Sequence, residues 1–381
     1  MSSWLDALCN QHVRDLQPYE SARRLFSSDG AGTGENSQIW LNANEAPEAE
    51  KIEIDSSLFN RYPDCQPPEL IKAYVDYCGL AALNAAAEDA NHARVIATRG
   101  ADEGIELIIR GFCEAAKSSV LICPPTYGMY AISAQTFNVG VHKAPLKADF
   151  SLDIEAMSDY VGKVKVVFLC SPNNPTGTRI AQNDIIRVLE LFKDKALVVL
   201  DEAYIEFDSA HAQIGLLKSY ENLIILRTLS KAFALAGIRC GFLISRAAIC
   251  DILMKVIAPY PVPAPVAQVA RLALTSEGLS RMQERVQQLQ SGIKFITERL
   301  KAICELEIVG DTKANFVLFR SAHNPKLMKY LVANGVIIRD QSKQLNLQNC
   351  LRITVGTPTQ NARLIALIEK FFKQLSERNA S

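Results

Sequence analysis

The sequence predicts an α/β protein in which a large domain built on a mostly parallel sheet precedes a smaller α+β domain. Three observations predict it. From about residue 44 to residue 257, short apolar runs alternate with polar loops and helix-period segments. Several of those runs are apolar on both faces, as buried parallel strands require. The Pro-studded stretch Pro259–Pro265 (PYPVPAP) then ends the alternation, and long helical runs follow it.

The elements follow in order. The first forty residues are irregular and form an N-terminal arm, residues 1–40. Within it Ser27–Ser37 is polar and Gly-rich, but its glycines lack the GxGxxG spacing and no strand precedes them. It is expected to be a flexible loop rather than a nucleotide loop. The large domain is assigned to 41–265. Its strand-like runs are Arg94–Thr98, Val120–Cys123, Val164–Cys170, Leu197–Leu200, Leu223–Leu226 and Phe242–Ser245. The helix after the first run has Ile105, Ile108, Ile109 and Phe112 on one face. Ala81–Ala93 is Ala-rich and short, a helix end or loop. The small domain, 266–381, holds helical runs Gln268–Leu274 and Ser280–Ile303. Strand candidates Asn315–Phe319, Val336–Ile338 and Leu351–Val355 follow, then a terminal helix from about Asn361 to Glu377.

The 381 residues carry 41 basic and 41 acidic side chains, so the formal charge is zero. That argues against bulk binding to nucleic acid or an anionic membrane, while leaving room for a local basic pocket. Residues 1–13 show no secretory pattern. No uninterrupted apolar run approaches the ~18 residues of a membrane span. Ten cysteines include no CxxC pair, and the five histidines are not grouped with them. The expectation is therefore reduced thiols, no metal site and a cytoplasmic setting.

The unusual polar residues follow the C-terminal ends of the strand-like runs, the edge where open α/β sheets bind ligands. Arg99-Gly100-Ala101-Asp102-Glu103 opens a helix, which suits an anion, although an acidic helix cap explains it too. Tyr127, in PPTYG, can lie on a planar ligand or simply pack. Ser171–Gly177 (SPNNPTG) holds Asn174 in a rigid loop, with Asn174–Pro175 a candidate cis bond. Asp201 follows an apolar strand, where a buried carboxylate is costly without a cationic partner, although it can also simply cap the next turn. Thr228, Ser230, Lys231 and Arg239 place two hydroxyls, an amine and a guanidinium within twelve residues. An amine, a carboxylate, aromatic hydroxyls and an anion cradle suit pyridoxal phosphate.

With these motifs in this order, the chain resembles the fold-type I pyridoxal-phosphate aminotransferases of class II, and among them the histidinol-phosphate aminotransferase family. SPNNPTG, Asp201–Tyr204 (DEAY) and Ser230–Phe233 (SKAF) carry the superfamily. Gln17-Pro18-Tyr19, Leu41–Glu45 (LNANE), Arg61–Asp64 (RYPD) and Leu351–Gly356 (LRITVG) carry the narrower likeness. The resemblance implies that Lys231 forms the Schiff base and shuttles the proton between substrate and cofactor carbons. It implies that Asp201 pairs with the pyridine nitrogen, Asn174 and Tyr204 with the ring hydroxyl oxygen, and Tyr127 with the ring face. Gly100, Ala101, Asp102, Thr228, Ser230 and Arg239 surround the cofactor phosphate, which Tyr62 reaches from the other subunit of a homodimer. Tyr19, Asn44, Tyr62, Asn174, Arg339 and Arg352 are implied on the substrate side; Arg339 and Arg352 bind the phosphate of the amino donor, and Arg352 also serves the α-carboxylate of glutamate. The implied reaction is transamination between L-histidinol phosphate and 2-oxoglutarate, in histidine biosynthesis. Alternatives within the fold are an aromatic amino-acid aminotransferase and a threonine-phosphate decarboxylase; outside it, a non-catalytic ligand-binding protein. From the residues themselves, Leu351, Ile353 and Val355 share one strand face, so Arg352 takes the other and points into a cleft.

Overall fold

The structure, a computed structural model, describes residues 3–16, 38–57, 59–85 and 92–380. Ser27–Ser37 lies outside those residues. The strands in chain order are β1 (Ile39–Trp40), β2 (Ala93–Thr98), β3 (Ser119–Ile122), β4 (Gly140–Lys143), β5 (Val166–Cys170), β6 (Leu197–Asp201) and β7 (Leu223–Thr228). They continue as β8 (Gly241–Arg246), β9 (Glu307–Ile308), β10 (Phe316–Arg320), β11 (Val336–Ile337), β12 (Arg339–Asp340) and β13 (Cys350–Thr354).

Seven strands form the main sheet, in the order β2-β8-β7-β6-β5-β3-β4. Both faces are buried, and the period of two sorts its residues. Val167, Leu169, Val198, Leu200 and Ile225 join one core; Val166, Phe168, Val199, Ile224 and Leu226 join the other. Each such side chain, fully buried, contributes about 1.5–3 kcal/mol, which is why the sequence runs apolar without alternation there.

Two differences from the expected pattern have physical causes. β8 is antiparallel to both its neighbours, β7 and β2. Phe242–Ser245 is apolar on both faces because helices cover both, not because it is parallel. The link from Thr228 to Gly241 stays on one edge and makes no crossover over a face. β4 had no strand signal, because Gly140–Lys143 lies at the sheet edge with no buried residue.

The antiparallel return has a functional result. β2, β3, β5, β6 and β7 end at one edge, and β8 begins there, with Thr98 opposite Gly241 and Gly241 opposite Thr228. Arg239 therefore arrives where the other strands stop.

The second sheet orders as β12-β13-β10-β9, all antiparallel. The 26-residue helix Ser276–Lys301 packs against it through residues such as Ile293, Ile296 and Leu300. The terminal helix spans Pro358–Ala380. Residues 39–44 hydrogen-bond with this C-terminal part. β1 pairs with β11, the Thr354 N–H donates to Leu41 O, and the Asn44 N–H donates to Thr354 Oγ1.

Five cysteines are buried, four are half-buried, and Cys304 is exposed; all ten are free thiols. Among the described residues no helix is long and apolar enough to cross a membrane.

Candidate active site

The strand-end clusters meet in a cavity of about 790 Å³ between the sheet edge and the C-terminal part. One end is built for an anion. The helix Ala101–Phe112 starts there behind Gly100, which has no side chain to cap it. The two carboxylates of the first turn are used elsewhere. Glu103 accepts from the backbone N–H and side chain of Arg99. Asp102 accepts from Tyr127 Oη at 3.0 Å and from Arg239 Nη2 at 3.2 Å. The acidic-cap reading of this turn is therefore not what the side chains do.

Beside the helix start, Thr228 Oγ1 donates to Ser230 Oγ at 2.9 Å, and Arg239 Nη1 donates to the same Ser230 oxygen at 3.3 Å. Backbone closeness is needed to bring these together. Gly100 adopts φ +82°, and a Cβ there would lie 2.7 Å from Arg239 Nη2. A Cβ on Gly241 would lie 2.5 Å from the Gly100 carbonyl carbon.

Asp201 forms the floor, at the end of β6, and is 2% exposed. Tyr130 Oη donates to its Oδ2 at 2.6 Å and the Ala203 N–H to its Oδ1 at 3.0 Å. Burial raises its carboxyl to about 6, against the pull of those two hydrogen bonds. Lys231 extends into the cavity, its Nζ donating to Ala43 O at 3.2 Å and lying 5.7 Å from the centre of the Tyr204 ring. Burial, with the Arg352 charge second, lowers its amine to about 8. Tyr204 accepts from Asn44 Nδ2 at 2.8 Å, and burial raises its phenol. Asn44 itself sits at φ +54°, held by Thr354 and by the Asn315 amide.

The two adjacent asparagines divide their work. Asn173 is 3% exposed and joins Thr126, Pro125 O and Thr176, which fixes the loop. Asn174 faces the cavity, and its Oδ1 accepts from Arg352 Nη1. The Asn174–Pro175 bond is cis, as are Ser171–Pro172 and Pro124–Pro125. Arg352, 6% exposed, also donates to Asn42 O at 3.0 Å and lies 5.2 Å from the centre of the Phe316 ring. It takes the strand face opposite Leu351 and Ile353, which are core residues. Its register partner across the sheet is Arg339.

The cavity thus gathers Ala101, Asp102, Tyr127, Asn174, Asp201 and Tyr204 with Thr228, Ser230, Lys231 and Arg239, and also Asn44, Arg339 and Arg352. Gly100 lies just behind, against Arg239. Tyr62 is apart from it: 82% exposed, stacked on Tyr260 at 4.5 Å. Tyr19 lies outside the described residues. Sequence reasoning missed Tyr130, Asn42, Glu45, Gln341 and Gln344. The last four line the cavity; Asn42 and Glu45 stand in the LNANE motif without having been singled out, while Gln341 and Gln344 have no motif of their own.

A sheet edge that joins a buried carboxylate, an enclosed lysine and an anion cradle is the arrangement of an aminotransferase. Residues 31–368 match the profile of aminotransferase class I and II, and the chain belongs to that family. Within it the chain belongs with the histidinol-phosphate aminotransferases. One from Pseudoalteromonas atlantica is 53% identical over 98% of this chain and 96% of that protein. Another, from Colwellia psychrerythraea, is 49% identical over 96% of this chain and 99% of that protein. Among solved structures, the enzyme of Clostridium acetobutylicum aligns with a TM-score of 0.76 at 25% identity, covering 88% of this chain and 99% of that one. The Sinorhizobium meliloti enzyme, in complex with pyridoxal-5′-phosphate, shares the fold, with a TM-score of 0.81 over 96% of this chain and 98% of that one.

The enzyme is a pyridoxal-phosphate-dependent transaminase, and the residues present fit that cofactor. The capless helix start, two hydroxyls and Arg239 match a phosphate. The buried Asp201 matches a protonated ring nitrogen, and Lys231 supplies the amine.

Proposed function

We propose that this enzyme transfers the amino group of L-histidinol phosphate to 2-oxoglutarate, reversibly, giving 3-(imidazol-4-yl)-2-oxopropyl phosphate and L-glutamate. One observation carries the substrate choice. Arg339 and Arg352 are direct partners across an antiparallel pair, and both line the cavity that holds Lys231. Like charges opposite one another are unfavourable, and an anion bound between them would offset that cost. A phosphate on one donor and a carboxylate on the other both suit paired guanidinium groups.

When bound, pyridoxal phosphate supplies the electron sink that stabilises charge on the substrate carbon. Ala101, Asp102, Thr228, Ser230 and Arg239 hold its phosphate. Asp201, kept ionised at neutral pH by Tyr130 and the Ala203 N–H, faces the ring nitrogen. Asn174 and Tyr204 orient the ring through its hydroxyl oxygen, and Tyr127 covers a face. Lys231 Nζ is the base: its lowered basicity leaves much of it neutral near pH 8, able to take the proton from the carbon bearing the amine. Tyr19 and Asn44 complete the substrate side.

The active form is a homodimer with shared sites. Tyr62 supports this, because it projects from its own surface, stacked on the half-exposed Tyr260, and stands outside its own cavity. Residues 41–265 act as the cofactor domain and 266–381 as the smaller domain, with the reaction between them; of the arm, Ile39–Trp40 pairs with Val336–Ile337 of the smaller domain. The setting is cytoplasmic, where its free thiols are at home.

A donor comparison tests the reading. Histidinol phosphate is expected to surpass phenylalanine and tyrosine in kcat/KM, with no carbon dioxide released from phosphothreonine. Preference for the aromatic donors would overturn the substrate. Turnover by Lys231→Ala at the wild-type rate would overturn the mechanism.

A further inference from the structure

Behind the cavity wall, the long helix Ser276–Lys301 reaches the segment that carries the amine. Arg285 Nη1 donates to the carbonyl oxygen of Ala232, the residue after Lys231, at 3.0 Å. Arg285 is held in turn by Glu50, a carboxylate that Arg281 also grips at 3.0 Å. Both Glu50 and Arg285 are mostly buried, their side chains 12% and 16% exposed. Glu50 closes the circuit. It lies in the same stretch as Ala43, whose carbonyl accepts from Lys231 Nζ. So both ends of Lys231, its backbone and its amine, are tied to one clamp spanning three separate parts of the chain.

The geometry points to Arg285 as a positioning residue for transamination: pinned by Glu50, it fixes the Lys231–Ala232 backbone and thereby where the amine sits in the cavity. This rests on the aminotransferase reading and deepens it. Arg285 does not line the cavity, so it acts on the reaction through the segments it holds, Lys231–Ala232 and, by way of Glu50, the stretch that includes Ala43. Ala232 is fully buried. A loosened Lys231 swings from the enclosed position toward water. The charged and aromatic groups facing its amine are Arg352, Arg239, Asp102, Glu45 and the Tyr204 ring. Arg285 meets Lys231 through its backbone neighbour, at Ala232 O.

The test compares Arg285→Ala, Arg285→Lys and Glu50→Gln with wild type. The first readout is the rate at which apoprotein takes up pyridoxal phosphate, followed by visible absorbance across pH, which reports the neutral fraction of the Lys231 amine. Its midpoint is expected to rise in Arg285→Ala by about one pH unit, as a partly rehydrated amine regains basicity. The second readout is steady-state kinetics: kcat is expected to fall roughly tenfold, as small misplacements of a reacting group do. KM for the amino donor is expected to change by less than about twofold, because uniform binding is untouched. Arg285→Lys, which keeps a donor, restores part of both effects, and Glu50→Gln shows a weaker form of them. Wild-type midpoint and kcat in Arg285→Ala, whatever its melting temperature, overturn the proposal. A wild-type protein that takes up no cofactor overturns the aminotransferase reading instead, so the two failures are distinct.

Discussion

The Tyr130 hydroxyl donates a 2.6 Å hydrogen bond to Asp201 Oδ2, and the two residues lie 71 positions apart in the chain. Tyr130 is wholly buried and stacks on Phe168 at 4.9 Å, so its hydroxyl has a fixed direction. Burial alone favours the neutral carboxyl of Asp201; this bond, with the one from the Ala203 N–H, opposes it.

Tyr130→Phe removes that donor and leaves the ring. The Asp201 carboxyl, already raised to about 6, is expected to rise further by about one unit, the worth of a charge-assisted hydrogen bond. The reaction needs the ionised form, so the acid limb of the kcat–pH profile is expected to move to higher pH. An unshifted limb would show that Tyr130 only packs.

Arg339→Gln tests the paired guanidiniums at the cavity. The change is expected to raise KM for the phosphorylated donor roughly 10- to 100-fold, through loss of a charge-assisted contact. Initial rates across donor concentration check it, and an unchanged KM would remove Arg339 from the substrate side.

Gly100→Ala places a methyl group 2.7 Å from Arg239 Nη2 on a backbone with φ +82°. That backbone, with ψ 170°, lies in a region essentially reserved for glycine and costs any other residue about 1–3 kcal/mol. Cofactor affinity is expected to fall by about tenfold or more, read by titrating apoprotein with pyridoxal phosphate, while histidinol phosphate changes KM little. Unchanged affinity would remove the helix start from the phosphate site.

Glu206 gives a pH dependence of stability. Burial raises its carboxyl from 4.5 to about 7 in the folded protein, with Arg227 opposing. The folded value lies above the unfolded one, so its favourable contribution is fully present below pH 4.5 and is lost as pH rises through 7. Glu206→Gln imitates the neutral form. It is expected to stabilise the protein at pH 8 by up to about 3 kcal/mol relative to its effect at pH 4. Equal melting shifts at both pH values would contradict this.

Much of the site was legible because its residues cluster locally. SPNNPTG, DEAY and SKAF each sit within one strand end, and the apolar strands before them announced the edge. What the chain alone does not show is which side chains meet across space. Tyr130 lies inside the helix Met129–Thr136, where nothing nearby hints at Asp201. β4 and β12 were illegible because short edge segments carry no buried alternation. The direction of β8 was hidden because burial on both faces looks the same in a parallel or antiparallel strand.

Gly241 sets a tolerance. With only hydrogen where a Cβ would strike Gly100 at 2.5 Å, it seats the start of β8 directly on the start of the helix Ala101–Phe112. The distance from Arg239 to the helix amides is then gauged by two backbones in contact, with no side chain between them to flex. The calibre of the anion cradle is set by that contact, and a single methyl group at Gly241 would open it as a shim opens a joint.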